Sequence, residues 1–395
     1  MKENHKASQT FNTILRYTLG TYIKVKFKME PHDDEIKNLK GPYIILANHT
    51  NNWDPFMLSV YVKEPVHFVA GEGNFKNPLL RWALIKLVGA ISKTKFMPDS
   101  ATIKQILKVK NSNGVIGIFP EGQRNWDGVT GDLLYSTAKL IKSLKLPVAT
   151  VVLKGAYLSH PRWAKSSRRG KVELHYSLAL TPDKIKQMSV DEIFNDMSKK
   201  LYHDEMLWQK QNNIFFQGAD AERLELFLFA CPHCGVVETL VSKGKEFMCT
   251  SCGYSVNYDG YGALASKSEV TYFDNLHQWD NWQLKLLYDK VDNLSHDEVL
   301  AHFDDVTIHE GKKMRNFSNK FSGSLYLYKN KLLFKYKDGR EADFYISAMD
   351  GVNVNQNRRV EFFYNKTMYR ITFNKKFESA YMWVSAINYI KEKQV

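Results

Sequence analysis

The sequence predicts an α/β domain over residues 1–220, built on a mixed, largely parallel sheet flanked by helices. Three observations point there. Short apolar runs at 43–47 and 115–119 read as strands buried on both faces. Segments with helical periodicity alternate with such runs, the pattern of α/β domains. Polar residues able to do chemistry follow two of the strands, at the carboxyl edge where open α/β sheets bind ligands. Beyond residue 220 the pattern changes. Paired cysteines occupy 225–262, a helical connector is expected over 263–300, and strands closed by a helix fill 302–395.

From Phe11, apolar residues recur at Ile14, Leu15, Leu19, Tyr22 and Ile23, with Arg16, Lys24, Lys26 and Lys28 among or after them. That is an amphipathic helix with a basic end. It either covers the core or lies in a lipid headgroup layer. The 43–47 strand follows, then Asn48-His49-Thr50-Asn51-Asn52-Trp53-Asp54-Pro55. Asp54 is placed to cap the next helix and Pro55 to occupy its first turn. His49 with Asp54 behind it can act as a general base, the carboxylate fixing the tautomer and stabilising the imidazolium. The plainer reading is a helix cap beside a satisfied turn histidine.

Residues 66–70 form a strand. Residues 79–91 are apolar nearly all round but too short to cross a bilayer, so they are a buried helix or an interfacial segment. A basic helix over 101–110 leads to the 115–119 strand, which runs into Pro120-Glu121-Gly122-Gln123-Arg124-Asn125. A helix at 133–144, strands at 146–153 and 171–180, and one or two helices over 184–216 complete the domain. The loop at 160–171 is strongly basic and reads by default as solvated surface, though it could grip a phosphate, an acyl-carrier protein or anionic headgroups.

His-x4-Asp followed about seventy residues later by Phe-Pro-Glu-Gly-x-Arg, each at a strand exit, resembles the glycerolipid acyltransferase family, typified by 1-acyl-sn-glycerol-3-phosphate acyltransferases. The resemblance spans roughly residues 10–215. It implies an O-acyltransferase moving a fatty acyl group from acyl-CoA or acyl-acyl-carrier protein to the free sn-2 hydroxyl of a lysophospholipid. His49 would then be the base and Asp54 its orienting carboxylate. Glu121, Gly122 and Arg124 match the family's acceptor-phosphate motif. Backbone amides beside Asn48 to Asn52 are candidate oxyanion donors. Gly89-Ala90-Ile91-Ser92-Lys93-Thr94-Lys95 occupies the place of a third motif that usually ends in arginine. Lys95 keeps the charge but not the bidentate fork, and an exposed lysine is the other reading. Gln123 and Asn125 stand where family members commonly carry Thr and Ser, which leaves the acceptor open.

Cys231-Pro232-His233-Cys234 and Cys249-Thr250-Ser251-Cys252 have the ligand spacing of a Cys₄ zinc ribbon, a closed structural site. His233 need not be a ligand. The surrounding residues are not basic, so nucleic-acid binding is not expected there. The strands after 302 and the final helix, with Trp383 at its centre, resemble a pleckstrin-homology-like barrel, suited to docking on a membrane or protein.

The whole chain has 395 residues and a net charge of +13. Residues 1–220 hold 32 Lys/Arg against 20 Asp/Glu, and the remainder 23 against 22. The excess therefore lies with the two motifs and suits phosphate-bearing substrates and an anionic membrane surface. There is no secretory apolar region and no apolar run of about 18 residues. Two Cys-x-x-Cys pairs fit a reducing compartment. The expected location is the cytoplasm, peripherally on a membrane. Two rivals remain: another lysolipid or glycerol-3-phosphate as acceptor, and a catalytically retired scaffold docked on a membrane.

Overall fold

The computed structural model describes residues 7–33, 35–71, 77–93, 100–267, 270–311, 317–374 and 378–394. The chain forms two compact units, Met1–Arg162 with Ser166–Gly218, and Trp163–Lys165 with Ala219–Val395.

The first unit is built on seven strands: β1 (Met29–His32), β2 (Tyr43–Ala47), β3 (Val66–Gly71), β4 (Ile91–Lys93), β5 (Val115–Ile118), β6 (Val148–Lys154) and β7 (Val172–Leu180). Their order is β1-β7-β6-β2-β5-β3-β4. Every pair is parallel except β6–β7. The sheet is thus mixed and largely parallel, as the apolar runs imply. Central β2 shows why. Tyr43, Ile45 and Ala47 join one core cluster with Ile23, Phe27, Met57 and Leu58. Ile44 and Leu46 join another with Ile106, Val109, Ile141 and Met197. A strand with helices on both faces has no polar side, so its sequence cannot alternate.

The described helices of this unit are α1 (Gln9–Tyr17), α2 (Leu19–Lys26), α3 (Asp54–Ser59), α4 (Pro78–Ala83), α5 (Ser100–Asn111), α6 (Tyr135–Leu144), α7 (Ala156–Ser159), α8 (Pro182–Gln187), α9 (Val190–Leu201) and α10 (Glu205–Asn212). Four expectations need correction. The N-terminal helix is two, broken at Thr18, whose hydroxyl bonds back to Ile14 C=O at 2.9 Å. The apolar 79–91 segment is α4, a π-helical turn over Leu84–Val88, and then β4. Three helices close the unit rather than one or two. The basic loop is not all solvated: Arg162 and Arg168 are buried. Among the described residues no helix is long and apolar enough to cross a membrane.

The second unit holds two antiparallel sheets. The smaller has β8 (Leu240–Lys243), β9 (Glu246–Cys249), β10 (Ser255–Tyr258) and β11 (Leu264–Ser266), in the order β11-β10-β9-β8. Then α11 (Leu276–Asn293) leads to β12 (Val299–Gly311), β13 (Phe317–Tyr328), β14 (Lys331–Tyr336), β15 (Glu341–Tyr345), β16 (Met349–Asn355), β17 (Arg359–Tyr364), β18 (Thr367–Phe373) and α12 (Ala380–Lys393). These strands form one sheet, β15-β14-β13-β12-β18-β17-β16, compatible with a barrel-like domain. Trp383, Ala386, Ile387 and Ile390 of α12 are buried. Helix α11 works as a brace. The Trp279 indole N–H donates to Ala230 C=O at 2.9 Å, and Gln283 accepts from Phe229 N–H at 2.8 Å and donates to Phe227 C=O at 3.1 Å. Tyr381 of α12 donates to Asp280 at 2.9 Å.

Candidate active site

The site begins where β2 ends. The Asn48 amide donates to Leu153 C=O at 3.0 Å and accepts from Leu153 N–H at 2.8 Å. Its side chain therefore prolongs the β2–β6 ladder by one step and releases the backbone into a loop. His49 follows, its ring stacked on Phe119 with centroids 4.3 Å apart.

Asp54 starts α3, but its carboxylate does not cap that helix. It turns back into the loop. Oδ2 lies 2.8 Å from His49 Nδ1 and accepts from Thr50 N–H at 2.7 Å and Asn51 N–H at 2.9 Å. Oδ1 accepts from the Thr50 hydroxyl at 3.3 Å. Asp54 is 0% exposed, so these bonds replace its hydration. A carboxylate can only accept, so His49 Nδ1 carries the proton and Nε2 carries the lone pair. The His49 side chain is 20% exposed, so a substrate can reach it.

Glu121 couples the second motif to the first. Oε1 accepts from His49 N–H at 2.6 Å and Oε2 from Gly131 N–H at 2.9 Å. Asn125 N–H donates to His49 C=O at 2.9 Å, so two bonds tie the loops together. Burial pushes the Glu121 carboxyl up to about 8, against the two amide bonds, with Asp54 and Asp127 adding to the rise. Gly122 sits at φ +72°, in the left-handed region that side-chain-bearing residues rarely adopt. Burial lowers the Arg124 guanidinium from its ordinary value, and the charge of Asp54 opposes that shift.

Sequence reasoning missed several groups here. Arg162 donates to Arg124 C=O at 2.7 Å and lies over the Trp126 ring at 4.2 Å. Asn51 donates to Ala156 C=O at 2.7 Å, which pins the histidine loop to the start of α7. His160 is driven down to about 4, by burial first and then by Arg124, Arg168 and Lys26. The only signal was the charge of the 160–171 loop, and charge alone does not tell a buried cation from a solvated one. One expectation narrows. The amides of His49, Thr50 and Asn51 already donate to Glu121 and Asp54, so they offer no oxyanion donor. Lys95 lies outside the described residues.

In the second unit Cys231, Cys234, Cys249 and Cys252 bring their sulfurs within 4.8 Å of one another. Cys231 and Cys252 are 3.7 Å apart, and Cys234 and Cys249 3.8 Å. Tetrahedral zinc with sulfur bonds of about 2.3 Å spaces its ligands by about 3.8 Å. The residues present therefore fit the ion. Backbone N–H groups of His233 and Cys234 face the Cys231 sulfur, and those of Ser251 and Cys252 face Cys249. His233 Nδ1 instead meets the Tyr272 hydroxyl at 3.0 Å.

The stretch that carries both loops is similar to known proteins. Residues 28–154 match the acyltransferase family model, and both motif loops fall inside that span. An acyltransferase domain thus lies in the first unit. The chain is 27% identical over 165 residues to the 1-acyl-sn-glycerol-3-phosphate acyltransferase of Streptococcus pneumoniae (strain ATCC BAA-255 / R6), covering 40% of this chain and 58% of that protein. The alignment therefore spans less than two thirds of that relative. The crystal structure of the 1-acyl-sn-glycerophosphate (LPA) acyltransferase PlsC from Thermotoga maritima aligns with a TM-score of 0.42 at 21% identity, covering 48% of this chain and 76% of that one.

Proposed function

We propose that this protein is an O-acyltransferase that moves a fatty acyl group from acyl-CoA or acyl-acyl-carrier protein to the sn-2 hydroxyl of 1-acyl-sn-glycerol-3-phosphate, giving phosphatidic acid. The observation that carries this reading is the His49–Asp54 pair held against the Arg124 loop by Glu121. His49 Nε2 takes the proton of the acceptor hydroxyl. The oxygen attacks the thioester carbonyl, and a tetrahedral oxyanion forms. Its collapse breaks the carbon–sulfur bond and expels the thiolate, which recovers the proton from His49. Asp54 stabilises the imidazolium between these two transfers. Arg124 binds the acceptor's phosphate, and Gly122 lets the loop approach it. Glu121 serves as a bolt between the loops, in preference to a contact with an acceptor hydroxyl, because both its oxygens accept backbone N–H groups.

Lipid access fits the N-terminal helices. Ile14, Tyr17, Tyr22 and Val25 are 54%, 70%, 54% and 62% exposed, with Arg16, Lys24 and Lys26 interspersed. An apolar and aromatic stripe set among cations suits the headgroup layer of an anionic membrane. The location read here is the cytoplasmic face, peripherally. The four cysteines hold one structural zinc, and the sheet from β12 to β18 with α12 is a pleckstrin-homology-like docking domain.

The test is release of free thiol from acyl-CoA, with and without lysophosphatidic acid, by the wild type and by His49→Ala. Acceptor-dependent release that disappears in the variant supports the reading. Release that needs a different lysolipid moves the acceptor, and full release by His49→Ala removes the base.

A further inference from the structure

Two tripeptides of the same form, Glu30-Pro31-His32 and Glu173-Leu174-His175, lie on neighbouring strands. Strands β1 and β7 are parallel, and their register pairs Glu30 with Glu173 and His32 with His175. Side chains two apart on a strand share a face, and so do laterally paired residues. Two carboxylates and two imidazoles therefore make a four-cornered cluster on one face at the edge of the sheet. Sequence reading could not reach this, because the tripeptides are 143 positions apart and only the pairing of β1 with β7 aligns them.

The contacts divide the cluster in two. At one end Lys171 Nζ bridges Glu30 and Glu173, at 2.9 Å from each. At the other, His175 Nε2 lies 3.1 Å from Glu173 Oε2 and His32 Nε2 lies 3.9 Å from Glu173 Oε1. The two imidazole rings are stacked, 4.6 Å between centroids and 6° from parallel. One ligand atom from each of His32, Glu173 and His175 falls within a 4.8 Å group. His32 Nε2 is shielded from solvent and has no hydrogen-bond partner among the described residues. On the outer side, His175 Nδ1 faces Asp33 Oδ2 at 3.7 Å, the position of the carboxylate that orients a metal-binding histidine.

We propose that His32, Glu173 and His175 form a binding site for a divalent transition-metal ion of the zinc class. Two imidazoles and one carboxylate are the donor set such ions take, and bonds of about 2.1 Å space tetrahedral ligands by about 3.4 Å. The observed separations bracket that value, so small side-chain rotations close the site. The ion satisfies the His32 nitrogen and pins edge strand β1 to β7. Pro31 in β1 can donate no ladder bond, so a metal clamp adds to the backbone pairing of this edge strand. Lys171 is the competing cation, with Lys154 adding repulsion from β6.

The site is independent of the acyl-transfer reading, and its test is a difference from which any cysteine-bound zinc cancels. Wild-type protein and the His32→Gln/His175→Gln double variant are dialysed to equilibrium against Zn²⁺ at neutral pH, and bound zinc per chain is counted. Both histidines are part-exposed, so the variant is expected to keep the wild-type melting temperature. The wild type should bind one more ion per chain than the variant. Lys171→Met, which removes the competing ammonium, should bind the extra ion more tightly. Equal zinc in wild type and double variant, or weaker binding in Lys171→Met, overturns the proposal.

Discussion

At the residue scale, most polar atoms around His49 are already engaged. Asp54 accepts two backbone N–H groups on the oxygen that meets His49. Asp54→Asn should therefore do two things. Acyl transfer should fall by about 10²–10⁴, the usual worth of a positioned base. Stability should drop by about 1–3 kcal/mol, because the new NH₂ cannot accept from these amides. Steady-state kinetics alongside a thermal melt would separate the two, and unchanged turnover would contradict the pairing. Glu121 predicts a pH effect. Its carboxyl is raised to about 8 in the fold, so the folded state holds a proton that the unfolded chain releases from about 4.5. The contribution is fully present below the unfolded value and is lost as pH rises through about 8. Melting temperature should decline across that window, and Glu121→Gln should flatten the decline. The histidine and aspartate were legible in the sequence because a strand exit and five positions of spacing are local. The coupling by Glu121 was not, since it joins residues 72 positions apart.

At the element scale, local chemistry settled much and tertiary packing the rest. Ser189 and Glu192 close a reciprocal capping box on α9, and Ser189→Ala should cost about 1 kcal/mol in a chemical denaturation series. The N-terminal helix pair is different. A single amphipathic pattern left a core-facing helix and a lipid-facing helix equally possible. The fold buries Ile23 while leaving Ile14, Tyr17, Tyr22 and Val25 exposed, so the pattern is only partly spent on the core. Ile14→Asp with Val25→Asp should weaken sedimentation with anionic vesicles and leave the unfolding free energy within about half a kcal/mol of wild type, as exposed sites allow. Unaltered vesicle binding would exclude this stripe as the docking surface.

At the scale of the whole molecule, the chemistry divides between units. The proposed acyl-transfer site lies in the first, and the cysteine cluster in the second. Chelation of the proposed zinc, or Cys249→Ser, should therefore unfold β8 to β11 and lower the second unit's melting transition. Transfer to a water-soluble acceptor by the first unit should survive. Loss of both together would mean that the metal supports the catalytic unit as well. The basic excess of residues 1–220 acquires a sharper meaning here. Part of it is buried at Arg162, beside Arg124, and at Arg168, and part is half-buried at Arg16, Lys24 and Lys26 of α1 and α2.

Periodicity, strand-exit motifs and cysteine spacing are short-range properties, and they carried the α/β class, the His49–Asp54 pair, the Glu121–Arg124 loop and the four-cysteine cluster. Three things came only from the folded chain: the bolt from Glu121 to His49, the inward turn of Asp54, and the alignment of His32 with His175 across two parallel strands. The first and the last depend on which distant strands become neighbours. That is decided by how apolar faces share the core, which no local window of sequence contains.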